Sequence, residues 1–431
     1  MKKKRIDVIT LGCSKNLVDS ERLLKRLCDC GFNAYHEPET VKGDIVIVNT
    51  CGFIGDAKEE SVNTILDLVN AKNKGKIKQL YVMGCLSERY REDLAKEIPE
   101  IDRIYGKFDW SNLISDIVKE HPATLPYDRV ITTPSHYSYL KIAEGCNRFC
   151  AFCAIPLITG RYKSRPIEEI LEEVKLLVTE GVKEFNVIAQ DLSYYGMDLE
   201  NRMMLPELID RMAEIEGVEW IRLHYAYPAQ FPFEILDVMN RHSNVCKYID
   251  IALQHINDKV LANMLRHVDK KQTLDLIQKI RSKVPEIHLR TTLMVGFPGE
   301  DDEAFEELKQ FVREARFERM GAFAYCEEDG TYAAKHYKDD IPQEVKAARL
   351  DELMAIQEEI ALESNSKKIG KTFKVIIDKE EAEYYVGRTE YDSPEVDPEV
   401  LIKKDKPLTV GEFCQVKITE ALPYELIAVA E

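Results

Sequence analysis

Six cysteines in two sets of three offer the sequence's strongest chemistry. One set is a C-x3-C-x2-C run, Cys146, Cys150 and Cys153, within Glu144-Gly145-Cys146-Asn147-Arg148-Phe149-Cys150-Ala151-Phe152-Cys153. It follows a strand-like stretch and so falls in the loop at that strand's C-terminal end, where α/β barrels carry out their reactions. Three thiolates on one short loop can hold three irons of a cubane cluster and leave the fourth iron open to another ligand. A structural zinc site would want a fourth Cys or His at ordinary spacing, and none lies nearby.

The second set is Cys13, Cys51 and Cys85. Each directly follows a strand pattern: Val8-Ile9-Thr10-Leu11-Gly12-Cys13, Ile45-Val46-Ile47-Val48-Asn49-Thr50-Cys51 and Leu80-Tyr81-Val82-Met83-Gly84-Cys85. In a parallel sheet the C-terminal ends of all strands share one edge, which is also where open α/β sheets bind ligands. Any one of these thiols alone would read as a small buried hydrophobe. Three at equivalent places in successive βα units point instead to a second three-cysteine cluster site.

The elements that must position these cysteines come in three series. Strand patterns at Ile6–Leu11, Asp44–Asn49 and Gln79–Met83, with helical patterns between them, predict a parallel βα sheet domain over residues 1–125. Pro122, Pro126 and Pro134 fall in a linker-like stretch over 121–135, and the linker between the domains is placed at 126–135. Six further strand patterns alternate with amphipathic helices over 136–367: Tyr139–Ala143, Glu184–Ala189, Trp220–His224, Tyr248–Leu253, His288–Val295 and Met320–Tyr325. Six units are too few for a closed eight-stranded barrel, so a partial (βα)6 TIM-type barrel is expected. A helical pattern over Gln343–Ser364 leads to short strands spanning 368–431, which predict a small antiparallel β-barrel. The fold class is thus α/β multidomain.

The 431 residues are 45% hydrophobic and 31% charged, in the range of a globular protein with a substantial core. No apolar run approaches the roughly 18 residues of a membrane span, and no signal peptide is read at the basic start Met1-Lys2-Lys3-Lys4-Arg5. An odd cysteine count, eleven, argues against a disulfide framework. A reducing, cytoplasmic location is expected. The net charge of −17 repels a phosphate backbone and suits a basic partner.

C-x3-C-x-aromatic-C after the first strand of a partial barrel resembles the radical S-adenosylmethionine (SAM) superfamily. Added to the second trio, it resembles the radical SAM methylthiotransferases over nearly the whole chain. Leu11-Gly12-Cys13-Ser14-Lys15-Asn16, Asn49-Thr50-Cys51-Gly52-Phe53-Ile54, Ala189-Gln190-Asp191-Leu192-Ser193-Tyr194-Tyr195-Gly196 and Gly296-Phe297-Pro298-Gly299-Glu300 support the match. The resemblance implies two [4Fe-4S] clusters, SAM as both radical source and methyl donor, and a C-terminal barrel of the TRAM type. Phe152 would lie beside the adenine. Gln190, Gly296, Gly299 and Glu300 are the other candidate SAM-site residues.

Two branches differ in substrate. One modifies an adenosine of transfer RNA, the other the β-carbon of an aspartate in the twelfth small-subunit ribosomal protein. Gly387-Arg388-Thr389-Glu390-Tyr391-Asp392-Ser393-Pro394-Glu395-Val396-Asp397 and Ile251-Ala252-Leu253-Gln254-His255 resemble the ribosomal branch. Residues 372–431 hold fourteen Asp or Glu against seven Lys or Arg, a balance of −7, whereas an RNA-gripping barrel should be basic. The expected partner is a basic ribosomal protein. Transfer RNA and membranes are disfavoured, an electron donor such as flavodoxin or ferredoxin is expected, and the sulfur donor stays open. Tyr391, Asp392, Glu395 and Asp397 are candidate substrate-binding residues. An iron–sulfur scaffold without radical chemistry is the alternative of another class.

Arg161 and Arg165 follow the cluster loop. Either could pair with the SAM carboxylate or the substrate aspartate, or serve as a structural ion-pair partner. His224 and His255 follow strand patterns at the expected active edge and read at least as well as core histidines. Cys28, Cys30, Cys246, Cys326 and Cys414 read as structural or incidental.

Overall fold

The computed structural model describes residues 4–118, 125 and 127–431. Met1, Lys2, Lys3, Pro122 and Pro126 lie outside the described residues. Among the described residues, no helix is long and apolar enough to cross a membrane.

The first sheet contains β1 (Arg5–Thr10), β2 (Asn33–His36), β3 (Ile45–Thr50), β4 (Gln79–Gly84) and β5 (Arg103–Ile104). Its order is β2-β1-β3-β4-β5 and every pair is parallel. Apolar clusters coat both faces, as in Val46, Val48 and Leu80 on one side and Ile45, Ile47 and Tyr81 on the other. Burial on both faces explains why these strands read as unbroken hydrophobic runs. The edge strand β2 is half exposed, and its sequence Asn33-Ala34-Tyr35-His36 carries little strand signal.

The second sheet begins with β6 (Tyr137–Lys141). A short antiparallel ladder, β7 (Ala143–Glu144) with β8 (Lys163–Ser164), brackets the C-x3-C-x2-C loop. Then follow β9 (Glu184–Ile188), β10 (Trp220–Ala226), β11 (Val245–Gln254), β12 (His288–Val295) and β13 (Arg319–Ala324). The order β13-β12-β11-β10-β9-β6 is fully parallel and does not close. Side chains alternate across each strand. Phe185, Val187, Ile221, Leu223, Ile249 and Leu289 pack outward under the helices. The intervening Asn186, Arg222, His224, Tyr248, Asp250 and Arg290 face inward, so the curved sheet has a polar lining.

The last five strands, β14 (Thr372–Glu380), β15 (Tyr384–Thr389), β16 (Glu399–Lys403), β17 (Phe413–Ala421) and β18 (Glu425–Ala430), close a barrel in the order β14-β15-β16-β18-β17. The expectation of an all-antiparallel barrel needs one correction: β16 pairs with β18 in parallel. Closure of a five-stranded barrel joins these two across the loop that carries β17.

The β15–β16 loop plugs the N-terminal end of the curved sheet. Arg388 grips Glu184 at 2.7 Å and Asp378 at 2.6 Å. Arg319 holds Asp392 at 2.5 Å, and Tyr248 donates to Asp397 at 2.8 Å. Lys368 lies beside this joint, buried, with Asn365 Oδ1 at 3.3 Å as its acceptor. Burial, then the neighbouring Arg319, pushes its ammonium down to about 8. The folded chain therefore holds this proton less tightly than the unfolded one. Below about pH 8 the charge is present in both states and costs stability; toward about pH 10 the folded chain has shed it and the cost fades. Lys368→Met should raise stability at pH 7 by about 2 kcal/mol, read as a higher Tm, with a gain that shrinks toward pH 10. An unchanged Tm at pH 7 would contradict this.

Candidate functional site

The strand ends bring the second trio together. Gly12 has φ +91°, and a Cβ there would stand 2.7 Å from Cys51 Cβ and 2.8 Å from its Sγ. Gly84 has φ +105°, and a Cβ there would meet Asn49 Oδ1 at 2.5 Å. Glycine before Cys13 and Cys85 thus lets three adjacent strands turn their cysteines toward one point. Cys51 and Cys85 are buried and Cys13 is exposed. Asn16 stitches the strand ends, donating to Leu11 O at 3.0 Å and Thr50 O at 3.1 Å.

The other trio faces it. One cavity of about 320 Å³ is lined by all six cysteines, Cys13, Cys51, Cys85, Cys146, Cys150 and Cys153. Cys85 also packs against Ala154 and against Ile158 of the helix Ile155–Thr159 that follows the C-x3-C-x2-C loop. A second cavity of about 590 Å³ adjoins it through Phe53, Phe152 and Gln254. A buried polar chain ties the two halves together. Lys107 donates to Asp19 at 2.9 Å, Lys141 bonds Asp19, Lys141 donates to Glu144 at 2.9 Å, and Gln190 donates to Glu144 at 2.5 Å.

Comparisons with known proteins agree with this geometry. The Radical SAM superfamily matches residues 140–312, the TRAM domain matches 369–430, and the family described as UPF0004 matches 5–106. A protein of Phocaeicola vulgatus is 62% identical over 429 residues, 99% of each chain. One from Parabacteroides distasonis is 59% identical over 426 residues, again 99% of each. Both bear the name ribosomal protein uS12 methylthiotransferase RimO. The chain belongs to the RimO family. It is a radical SAM transferase, and that class uses SAM and iron–sulfur chemistry. Among solved structures, the radical SAM methyltransferase TsrM of Kitasatospora setae matches with a TM-score of 0.56 at 13% identity, over 75% of each chain. The cobalamin-dependent radical SAM enzyme OxsB matches at 0.53 and 13%, over 83% of this chain and 56% of that one. These two likenesses speak to fold alone.

The donor set of this RimO-family chain suits cubane clusters. Among the described residues, no three His, Cys, Asp or Glu converge closely enough for a single metal ion. Zinc at about 2.3 Å from each sulfur would demand that convergence. Six thiols spread around one shared cavity fit larger groups. Burial pushes the thiols of Cys85 and Cys146 up to about 12 and also raises that of Cys153. Such thiols ionise readily only against a cation or a metal. Cations are at hand: Arg266 donates to Cys150 Sγ at 3.1 Å, and Lys107 offsets part of the burial penalty at Cys85.

The residues singled out from the sequence divide clearly. Phe152 and Gln190 line the cavity, and Gln190 Oε1 is buried there without a partner among the described residues. Glu300 is turned inward. It accepts from Gly296 N at 2.9 Å, from Arg349 at 2.7 Å, and faces His255 Nε2 at 3.2 Å. Gly296 and Gly299 abut Lys346 and Asn263, so protein neighbours set the close approach there. Arg165 is committed to Glu169 and Glu173, and Arg161 lies exposed over the Phe149 ring. Tyr391, Asp392, Glu395 and Asp397 sit at the opposite end of the curved sheet, in the plug or on its rim. His224 is buried against Asn186, and burial together with Arg222 drives its imidazolium form well down.

Three cavity residues carried no sequence signal of their own. Arg266 reaches Cys150 from a loop in which Leu265 and His267 both have positive φ. Lys107 comes from beyond β5. Lys15 was legible only as a neighbour of Cys13.

Proposed function

We propose that this chain adds a methylthio group to the β-carbon of an aspartate in ribosomal protein uS12, using two [4Fe-4S] clusters and two molecules of SAM. The observation that carries the reading is the single cavity lined by both cysteine trios. Cys146, Cys150 and Cys153 would hold one cluster and Cys13, Cys51 and Cys85 the other, each with one iron free of protein. When bound, these groups supply the radical that activates the C–H bond and the sulfur and methyl to be transferred.

The chain's own residues hold and shield. Arg266 and Lys107 place positive charge against the two sets of thiolates. Phe53, Phe152 and Ile158 line the cavity with apolar surface that excludes water from a reactive centre. Phe152 and Gln190 flank the expected SAM site. The two halves are locked by the Lys107–Asp19–Lys141–Glu144 chain, so the acceptor carbon can meet both trios in one pose.

An acidic protein of net charge −17 suits a basic ribosomal protein and disfavours transfer RNA. A flavodoxin or ferredoxin as electron donor and a cytoplasmic setting complete the reading. Mass spectrometry of uS12 and of transfer RNA, from cells with and without the gene, tests it. One methylthio group should appear on a single aspartate peptide of uS12 and depend on the gene. Gene-dependent modification of transfer RNA with uS12 unchanged would overturn it.

A further inference from the structure

The charge inside the cavity is one-sided. Among the described residues its lining includes four cationic side chains, Lys15, Lys107, Arg148 and Arg266, and no Asp or Glu. Three of the four are engaged. Lys107 pairs with Asp19, Arg148 with Asp191 at 2.6 Å, and Arg266 with Cys150 Sγ and Ala252 O.

Lys15 is different. It is 9% exposed, yet among the described residues it makes no ion pair and no hydrogen bond. Its ammonium rests 3.6 Å from the centre of the Tyr225 ring, which also lines the cavity. The other buried lysines show how unusual this is. Lys107, Lys141, Lys309 and Lys346 each reach a carboxylate, and Lys368 reaches Asn365. An ammonium that opens onto the cavity with one aromatic face beside it is placed to receive an anion.

We infer that Lys15 is the specificity residue that receives the carboxylate of the substrate aspartate. The inference rests on the uS12 reading above. Its geometry is independent of it: Lys15 projects from the start of the helix Ser14–Asp29, two residues after Cys13, into the space shared by both trios. An aspartate whose carboxylate meets this ammonium would hold its β-carbon, one bond from the carboxylate carbon, within that space. A charge-assisted hydrogen bond there would favour Asp over Asn. The methionine carboxylate of SAM has the same chemistry, so the test must separate the two.

The experiment uses the full chain loaded with both clusters. Two peptides of the modified uS12 segment are compared, one with Asp and one with Asn at the target position. The wild type should bind the Asp peptide more tightly, by about 30-fold or more, by fluorescence anisotropy. Lys15→Met should erase that preference, while Lys15→Arg restores part of it. Iron content, unchanged in both variants, reports the fold. If Lys15→Met keeps the preference, or if it lowers SAM affinity and leaves the Asp–Asn ratio intact, the inference falls. Should the wild type leave both uS12 and the Asp peptide unmodified, the uS12 reading falls instead, and this assignment with it.

Discussion

Replacing Cys13, Cys51 and Cys85 together by alanine should cut the iron of the anaerobically loaded protein from about eight atoms per chain to about four. It should also abolish methylthio transfer to uS12. SAM cleavage should continue, because Cys146, Cys150 and Cys153 are untouched, and 5′-deoxyadenosine should still accumulate. The fold should survive. Each substitution removes one sulfur, at a cost on the order of 1 kcal/mol for the buried Cys51 and Cys85. Gly12 and Gly84 keep the strand ends in place without the thiols. The complementary change at Cys146, Cys150 and Cys153 should remove both the remaining iron and the cleavage of SAM. Iron analysis, electron paramagnetic resonance and chromatography of the nucleoside product read these outcomes. An iron content that does not move when Cys13, Cys51 and Cys85 are removed would mean that those thiols hold no cluster, and sulfur insertion would lose its physical basis.

Much of this architecture is readable before any coordinates. Ile45-Val46-Ile47-Val48 is buried on both faces, and a continuous β-branched run says so. The six strands of the curved sheet were legible because amphipathic helical patterns separate them, with boundaries shifted by a few residues. The parts that escaped are those with little apolar patterning. Asn33–His36 is a half-exposed edge, Arg103–Ile104 is two residues long, and Glu399–Lys403 follows two prolines closely. The cysteines were legible because a strand-end rule places them without knowledge of packing. Lys15 and Arg266 were not, because their roles depend on how one half of the chain meets the other. The same dependence misdirects a reading of Asp392, whose acidic loop looks like a docking surface in sequence. In the structure it is the buried counter-ion of Arg319. A charged residue announces a partner, and only the tertiary fold says whether that partner is internal.

Asp19→Ala should destabilise the protein by about 3–5 kcal/mol and damage sulfur transfer more than SAM cleavage. Asp19 is buried between two lysines from opposite halves of the chain, Lys107 at 2.9 Å and Lys141 in direct contact. Without it, among the described residues, Lys107 keeps only Asn16 Oδ1 at 3.3 Å, while Lys141 keeps Glu144. Two buried ammonium groups would then face one another across the joint. Burial alone would raise the carboxyl of Asp19, but Lys107 and Lys141 outweigh it and hold the group well below the usual carboxylate range. The folded state thus binds this proton more weakly than the unfolded chain does. The stabilisation is complete above the unfolded value of about 3.9 and is lost as pH falls below it. Urea unfolding should therefore show the full gap between wild type and Asp19→Asn at pH 7, and a smaller gap at pH 3. Pairing Asp19→Leu with Lys107→Met should recover much of the loss, since removing both charges costs less than stranding one. A double variant that regains stability but still separates SAM cleavage from methylthio transfer would show that Asp19 and Lys107 serve the site beside Cys85 as well as holding the halves together.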